Sequence, residues 1–288
     1  MTANIWARSG PYGRRADLLR RQVGLLAPHL LALQEVDFGP GDRNQAEELF
    51  GPLGYEIAYQ RREGSYVGDP GIAVASRFPI LERRLIELPH GGPCLAARID
   101  APEGRFWFCS AVPMGGWPHQ EIQREDEVVV LDSALTELAA GDELPPILAG
   151  DFDATPEAAS IRFLTGLQSL QGRSTGWVDA WAVAGDGSPG FTWSSDNAHA
   201  APFTAAVFAQ PEHHRRIDYI FVGSPFVWRP RVVVRSCEVV LTGPADGPPS
   251  DHYGLVADLE LDGIVLGGGG GLETWEETAA ALWPGDSA

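Results

Sequence analysis

Long apolar runs are missing from this chain. No stretch reaches the roughly 18 consecutive apolar residues of a membrane-spanning helix, so no transmembrane segment is expected. The first residues, MTANIWARSG, lack a basic region followed by an apolar one, so no secretory signal is expected. Cysteine is scarce: Cys94, Cys109 and Cys237 are odd in number, widely spaced and set in apolar, strand-like runs. That pattern fits neither a disulfide framework nor a metal-ligand cluster, so buried free thiols and a reducing cytoplasm are expected. Positive charge is also short. Against 39 acidic residues stand 21 basic ones, a net charge of −18, which opposes tight non-specific binding to a long polyanion such as DNA. The arginines clustered at Arg14, Arg15, Arg20 and Arg21, and at Arg61, Arg62, Arg83 and Arg84, read as solvated helix and turn surface. No internal repeat of fixed period is present.

The 288 residues carry 44% hydrophobic content, enough for a sizeable core. The most informative stretch is LAGDFDATP, residues 148–156. An apolar run over 145–149 ends abruptly in Gly150-Asp151-Phe152-Asp153, as a buried strand does when it delivers a carboxylate to its C-terminal end. Asp151 and Asp153 are two apart and would share one face of an extended backbone. Thr155-Pro156-Glu157 reads as an N-cap, a Pro at the first helical position and an acid in the first turn of a helix over 157–167.

Periodicity predicts strands at 2–6, 29–36, 55–60, 71–75, 94–99, 105–112, 217–222, 231–241 and 254–260, and helices at 14–28 and 121–140. This alternation alone says α/β. Gly267–Gly271 reads as a flexible linker. Beyond it, Leu272, Trp275 and Leu282 recur at rough helical spacing, which suits either a docking helix or an unstructured tail. The folded domain is therefore placed at 1–262 and the linker and tail at 263–288.

Six short motifs then stand in order: TAN with Asn4, LQE with Glu35, GIAVASRFPI with Arg77, GDFD with Asp151 and Asp153, RIDY with Arg216 and Asp218, and SDH with Asp251 and His252. Together with the D-A-W at 179–181 and the T-W at 192–193, they resemble the endonuclease/exonuclease/phosphatase superfamily in its bacterial form. The resemblance spans residues 2–260. It implies a four-layer α/β sandwich, two packed mixed sheets with helices on the outer faces. It also implies a metal-dependent phosphoesterase of the phosphodiesterase, nuclease or phosphatase type, acting on a small-molecule, lipid or nucleic-acid phosphate ester.

By the same resemblance, Glu35 and Asp251, with Asn4 beside them, would hold Mg²⁺, with Mn²⁺ as the substitute, because a hard cation prefers oxygen ligands. His252 would be steadied by Asp218, and Asp151 would orient or deprotonate the attacking water. Arg77, Trp193 and Arg216 are the substrate-side candidates, Arg77 serving either to position phosphate or to brace the sheet. Trp181 reads as core.

Three departures stand out. The first strand has only Met1 before Thr2, so its pairing should be short and its start mobile. Asp153 occupies the family's Asn position. The family's phosphate-contacting His falls at Ala111 or Val112 in FCSAVPMGG. The last two changes make the site less hospitable to an anion, unless a second metal on Asp151 and Asp153 or a protonated Asp153 offsets them. Two readings follow: a weakened phosphoesterase, or a non-catalytic member that binds a phosphorylated ligand or a protein partner.

Overall fold

The computed structural model describes residues 1–39, 43–61, 70–114, 118–210, 212–224, 226, 228, 232–243 and 246–261. The linker and tail assigned to 263–288, and Arg62, lie outside these residues. The first strands in chain order are β1 (Thr2–Asn4), β2 (Leu30–Val36), β3 (Glu56–Gln60), β4 (Gly71–Ser76), β5 (Ile80–Leu85), β6 (Cys94–Ala101) and β7 (Gly104–Ala111). They are followed by β8 (Ile147–Asp151), β9 (Val178–Asp179), β10 (Trp193–Ser194), β11 (His214–Arg215), β12 (Asp218–Val222), β13 (Val232–Val240) and β14 (Gly254–Leu261). The helices are α1 (Tyr12–Leu26), α2 (Gln45–Phe50), α3 (Glu121–Ala139), α4 (Ala159–Leu164), α5 (Ala180–Ala184) and α6 (Ala201–Val207).

Two six-stranded mixed sheets result, in the orders β13-β14-β1-β2-β4-β3 and β5-β6-β7-β8-β12-β9. Among the described residues, β1 with β2 and β7 with β8 run parallel, and the other pairs within the sheets are antiparallel. Alternation along each strand sends one set of side chains inward and the other outward. Between the sheets pack Val74, Phe108, Ile147, Ala149, Ile220 and Leu255. Outside the first sheet, Leu19 and Val23 of α1 and Leu49 and Phe50 of α2 meet Leu31, Leu33 and Ala73. Outside the second, Val128, Leu131 and Leu135 of α3 and Ile161 and Phe163 of α4 meet Trp107, Cys109 and Leu148. This is the four-layer α/β sandwich that the motifs imply. Among the described residues no helix is long and apolar enough to cross a membrane.

Several local expectations change. The first strand is three residues long and pairs with β2 from Thr2↔Ala32 to Asn4↔Gln34. Its start is anchored: Met1 is buried, its ammonium donates to the Leu30 carbonyl at 3.0 Å, and its carbonyl accepts from the Ala32 N–H at 2.9 Å. Asp153 does not continue the extended backbone of Asp151. β8 ends at Asp151, and Asp153 turns left-handed at φ 49°, donating its N–H to Asp151 Oδ1 at 3.0 Å. Thr155 is not an N-cap, since the following helix starts at Ala159 after a turn in which the Ala158 N–H reaches the Thr155 carbonyl.

Cys94 and Cys109, distant in sequence, face each other on β6 and β7 with sulfurs 3.4 Å apart. Both are buried free thiols. Arg15 is not surface. It lies on the α1 face that carries Leu18, Leu19 and Val23, is 1% exposed, and donates to the carbonyls of Ile5, Trp6, Ala7, Ser9 and Pro249.

Candidate active site

Five separated segments meet where the two sheets face each other at one end. β1 and β2, in parallel, bring Asn4 and Glu35 to the same edge. In the other sheet β8 and β12 are antiparallel with Asp151 directly opposite Asp218. Gly150 is required on the other side of β8, where it pairs with β7, because a Cβ there would lie 1.9 Å from the Ala111 carbonyl oxygen. The turn before β14 supplies Ser250, Asp251 and His252.

Asn4 joins the sheets. Its Nδ2 donates to Glu35 Oε1 and to Asp151 Oδ2, each at 3.1 Å, and its Oδ1 accepts the Trp6 N–H at 3.0 Å. Both amide hydrogens and the amide oxygen are thereby used, which fixes the side-chain orientation. Glu35 sits at a bulge in β2 with φ 53°, so two of the site's carboxylates, Glu35 and Asp153, occupy left-handed backbone that side chains other than glycine seldom adopt. Ser250 Oγ donates to the Asn4 carbonyl at 2.7 Å and lies 3.3 Å from Asp251 Oδ1, which brings the Asp251 turn against β1.

His252 Nδ1 lies 3.0 Å from Asp218 Oδ2, and its Nε2 lies 3.8 Å from Asp151 Oδ2. Asp218 is fully buried, and the Thr192 hydroxyl accepts its backbone N–H. A single β-bridge pairs His252 with Trp193, whose indole stands 6.5 Å from the imidazole.

Burial alone would hold the imidazole neutral. The carboxylates of Asp218, Asp151 and Asp251 outweigh it and raise His252 well above its ordinary value. Four carboxylates of the site, Glu35, Asp151, Asp153 and Asp251, are pushed up, first by burial and then by neighbouring carboxylates. Glu35 and Asp151 are raised. Asp153 rises to about 6 through burial and the nearby Asp151, against the pull of Arg215. Asp251 also rises to about 6 through burial and Glu35, against His252.

The site thus gathers more buried negative charge than its own cations neutralise. Ligand atoms of Asp151, Asp218 and His252 lie within 4.8 Å of one another, and Asp218 Oδ1 is buried with no hydrogen-bond partner. Oxygen donors in excess of positive charge are the donor set that a hard divalent cation takes, so the residues present fit one.

Two expected residues are not brought here. Because β4 runs antiparallel to β2, with Ser76 opposite Leu30, Arg77 falls at the far end of the sheet, exposed and lying over the Tyr55 ring. Arg216 is 6% exposed and turned to Asp179 at 2.9 Å and to the face of Tyr219. In its place Arg215 reaches the site, donating to the Asp153 carbonyl with a second nitrogen 3.8 Å from Asp153 Oδ1. Asn197 was also missed; it is buried and donates to the Ser250 carbonyl at 2.9 Å, holding the Ser250-Asp251-His252 turn. No spacing marks Asn197 or Arg215 in the sequence.

The two positions at the end of β7 face opposite ways. Phe108 and Val112 belong to the inter-sheet core, whereas Trp107, Cys109 and Ala111 face α3. The inward-facing position is Val112.

The profile of the endonuclease/exonuclease/phosphatase family matches residues 1–252. No curated protein sequence matches the chain. Among solved structures, the human Nocturnin catalytic domain with bound sulfate has 20% identity and a TM-score of 0.67, over 90% of this chain and 93% of that one. An endonuclease/exonuclease/phosphatase from Bacteroides vulgatus has 19% identity and a TM-score of 0.66, over 91% and 97%. D. rerio TDP2 complexed with a single-strand DNA product has 18% identity and a TM-score of 0.65, over 86% and 92%. At these identities the likeness is one of fold.

Proposed function

The chain belongs to the endonuclease/exonuclease/phosphatase family, and we propose that it is a metal-dependent hydrolase of a phosphate ester. The observation that carries this reading is the convergence of Asn4, Glu35, Asp151, Asp218 and His252 on one end of the sandwich, with a single hydrogen bond between their segments spanning as many as 246 residues.

In this reading Glu35 and Asp251 hold Mg²⁺ or Mn²⁺, with Asn4 orienting Glu35 and Asp151. The cation, when bound, neutralises phosphate charge and stabilises the leaving oxygen. Asp218 keeps His252 protonated, so that Nε2–H can donate to a non-bridging phosphate oxygen. Asp151, beside that imidazole, orients the attacking water or takes its proton. Trp193 walls the pocket next to His252. The net charge of −18 favours a small or lipid phosphate over long DNA; a nucleic-acid ester is the class suggested by the DNA product on the zebrafish protein.

Val112 and the Arg215-bound Asp153 favour a second reading, a non-catalytic phosphate or partner binder, because both remove a donor to the anion. A panel of phosphate mono- and diesters, assayed with Mg²⁺ and with Mn²⁺ against His252→Ala, separates the two. Metal-dependent turnover lost in the variant supports the enzyme, and equal inertness of both proteins supports the binder.

A further inference from the structure

Three extended segments line up beside the carboxylates. Trp193 of β10 lies directly opposite Arg215 of β11, and on its other side it bridges His252. Residues directly opposite in an antiparallel pair project to the same face, so Arg215, Trp193 and His252 form one row. The next pair, Ser194 and His214, is tied by a 2.7 Å side-chain hydrogen bond between Oγ and Nδ1, which holds the register. Opposed Cβ atoms lie about 5 Å apart, so the imidazole and the guanidinium flank Trp193 with roughly 10 Å between their Cβ atoms.

Each of the two reaches one carboxylate of the Asp151-Phe152-Asp153 stretch. His252 Nε2 lies 3.8 Å from Asp151 Oδ2, and Arg215 Nη1 lies 3.8 Å from Asp153 Oδ1. What holds Arg215 is a different oxygen: its Nη2 donates to the Asp153 carbonyl. That anchor is neutral backbone, so it orients the guanidinium without cancelling its charge. Among the described residues Nη1 makes no hydrogen bond, and the side chain is 10% exposed. A charged donor this far out of water gains more from an anion than a solvated one does. The chemistry proposed above gives Arg215 no part.

We propose that Arg215 binds the substrate's phosphate beside His252 and selects a terminal phosphate, a monoester, over an internal diester. This rests on the reading of the site as one that takes a phosphate ester. A diester has two non-bridging oxygens, which a bound cation and the His252 Nε2–H serve. A monoester has a third, and Arg215 Nη1 is the donor left to meet it. In a diester that oxygen carries carbon, and the Nη1 donor is left without an acceptor. Sites built to bond a polar group reject analogues that lack it on this ground. Val112 offers no competing donor, and Asp153 presents an acceptor. The hydrolysis itself is ordinary: water bonds to phosphorus, the ester P–O bond breaks, one water proton ends on the alcohol and the other stays on inorganic phosphate.

The test compares the parent with Arg215→Met, Arg215→Lys and His252→Ala, all with saturating Mg²⁺. Calorimetry measures binding of inorganic phosphate and of dimethyl phosphate, and kinetics compare p-nitrophenyl phosphate with bis(p-nitrophenyl) phosphate. Arg215→Met should weaken inorganic phosphate at least tenfold and dimethyl phosphate less than threefold, with Mg²⁺ affinity unchanged. It should also lower the monoester-to-diester ratio of kcat/KM at least tenfold. Arg215→Lys keeps the charge but not the planar fork, so it should fall between, and it supplies the same comparison if Arg215→Met does not fold. Equal losses for both ligands would make Arg215 a general support of the site and overturn the proposal, as would a greater loss on the diesters. If His252→Ala weakens phosphate and neither Arg215 variant does, the proposal falls and the phosphate site stands. A folded, Mg²⁺-bound parent that takes neither anion and cleaves neither ester would sink that reading and the proposal with it.

Discussion

The side-chain amide of Asn4 donates to Asp151 across the two sheets at 3.1 Å, linking residues 147 positions apart. The same nitrogen serves Glu35, so one buried neutral group steadies carboxylates from both halves of the fold. Asn4→Ala should leave both without that donor. Metal affinity and turnover should fall ten- to a hundredfold, as for other residues that orient ligands, with a stability loss of about 1–3 kcal/mol. Calorimetric Mn²⁺ titration and denaturant melts measure the two effects separately. Unchanged metal affinity would remove Asn4 from the site.

Asp218 and His252 make the second prediction. Asp218→Asn removes the leading carboxylate that raises His252, so the imidazolium should be lost at lower pH and the alkaline limb of kcat/KM should move down. The linkage has a definite sign. A His raised in the folded state contributes stability that is complete below its unfolded value, roughly 6.5, and is lost as pH rises through the folded one. Parent stability should therefore decline on the alkaline side, and His252→Gln should flatten that decline. An alkaline limb of kcat/KM that Asp218→Asn leaves in place would break the pairing.

Burial, and then the neighbouring Asp151, push Asp153 up to about 6 in the folded protein, from 3.8 for the free side chain. Its contribution to stability is complete below 3.8 and is lost as pH rises to about 6, because ionisation there meets burial and Asp151. Asp153→Asn should accordingly stabilise the metal-free protein by about 1 kcal/mol near neutral pH, a figure reduced for partial exposure, and by less near pH 4. Saturating Mg²⁺ should stabilise the parent through the same charge. Denaturant melts in chelator and in Mg²⁺ at both pH values give the comparison. A gain from Asp153→Asn that is equal at both would show that charge is not its origin.

Much of this was legible beforehand because strand-then-acid is a local signal. Glu35 and Asp151 each end an apolar run and His252 immediately precedes one, and the pairing of strands then brings them together. What was not legible depends on direction rather than identity. Arg77 follows a well-predicted strand, but only the antiparallel pairing with β2 shows that this strand ends away from the site. The adjacent Arg215 and Arg216 look alike in sequence, and alternation sends one to Asp153 and the other to Asp179. Asp153 seemed to share a strand face with Asp151 until a left-handed turn intervened. The Cys94–Cys109 contact likewise comes from register between β6 and β7, which spacing does not encode.

At the other end of β1, the Met1 ammonium is buried beside the Leu30 carbonyl, and burial lowers it from 8.0 to about 5. An amine depressed in the folded state binds its proton more readily when unfolded, so this group makes stability rise with pH between about 5 and 8. At pH 7 the cost is on the order of 1 kcal/mol. Extending the chain by Thr-Val before Met1 replaces the ammonium with a peptide N–H that keeps the bond to Leu30. The extended protein should be more stable by about 1 kcal/mol at pH 7, and the gain should shrink toward pH 9. An equal gain at both would place its origin in added strand contacts alone.

Val112 sits where an inward-facing side chain from β7 meets the site end of the inter-sheet core, and an isopropyl group offers no donor to an anion. Ala111, the neighbouring position, is fully buried against α3. The two registers therefore make different predictions. Ala111→His should overpack the outer layer and bury an unpaired imidazole, costing several kcal/mol of stability with no gain in activity. Val112→His should be tolerated, because Val112 is only partly buried. Combined with Asp153→Asn, it should raise single-turnover hydrolysis of a generic diester at least tenfold, about 1.4 kcal/mol of transition-state stabilisation. The two gains should not add, since both new donors would address one phosphate and Asp153→Asn also releases Arg215 from its carboxylate. The measurement is metal-saturated single-turnover kinetics on the parent, each single variant and the double, with melts to confirm folding. If the folded, metal-binding double variant stays as inert as the parent, restoring donors restores nothing, and the phosphate or partner binder becomes the correct reading of the site.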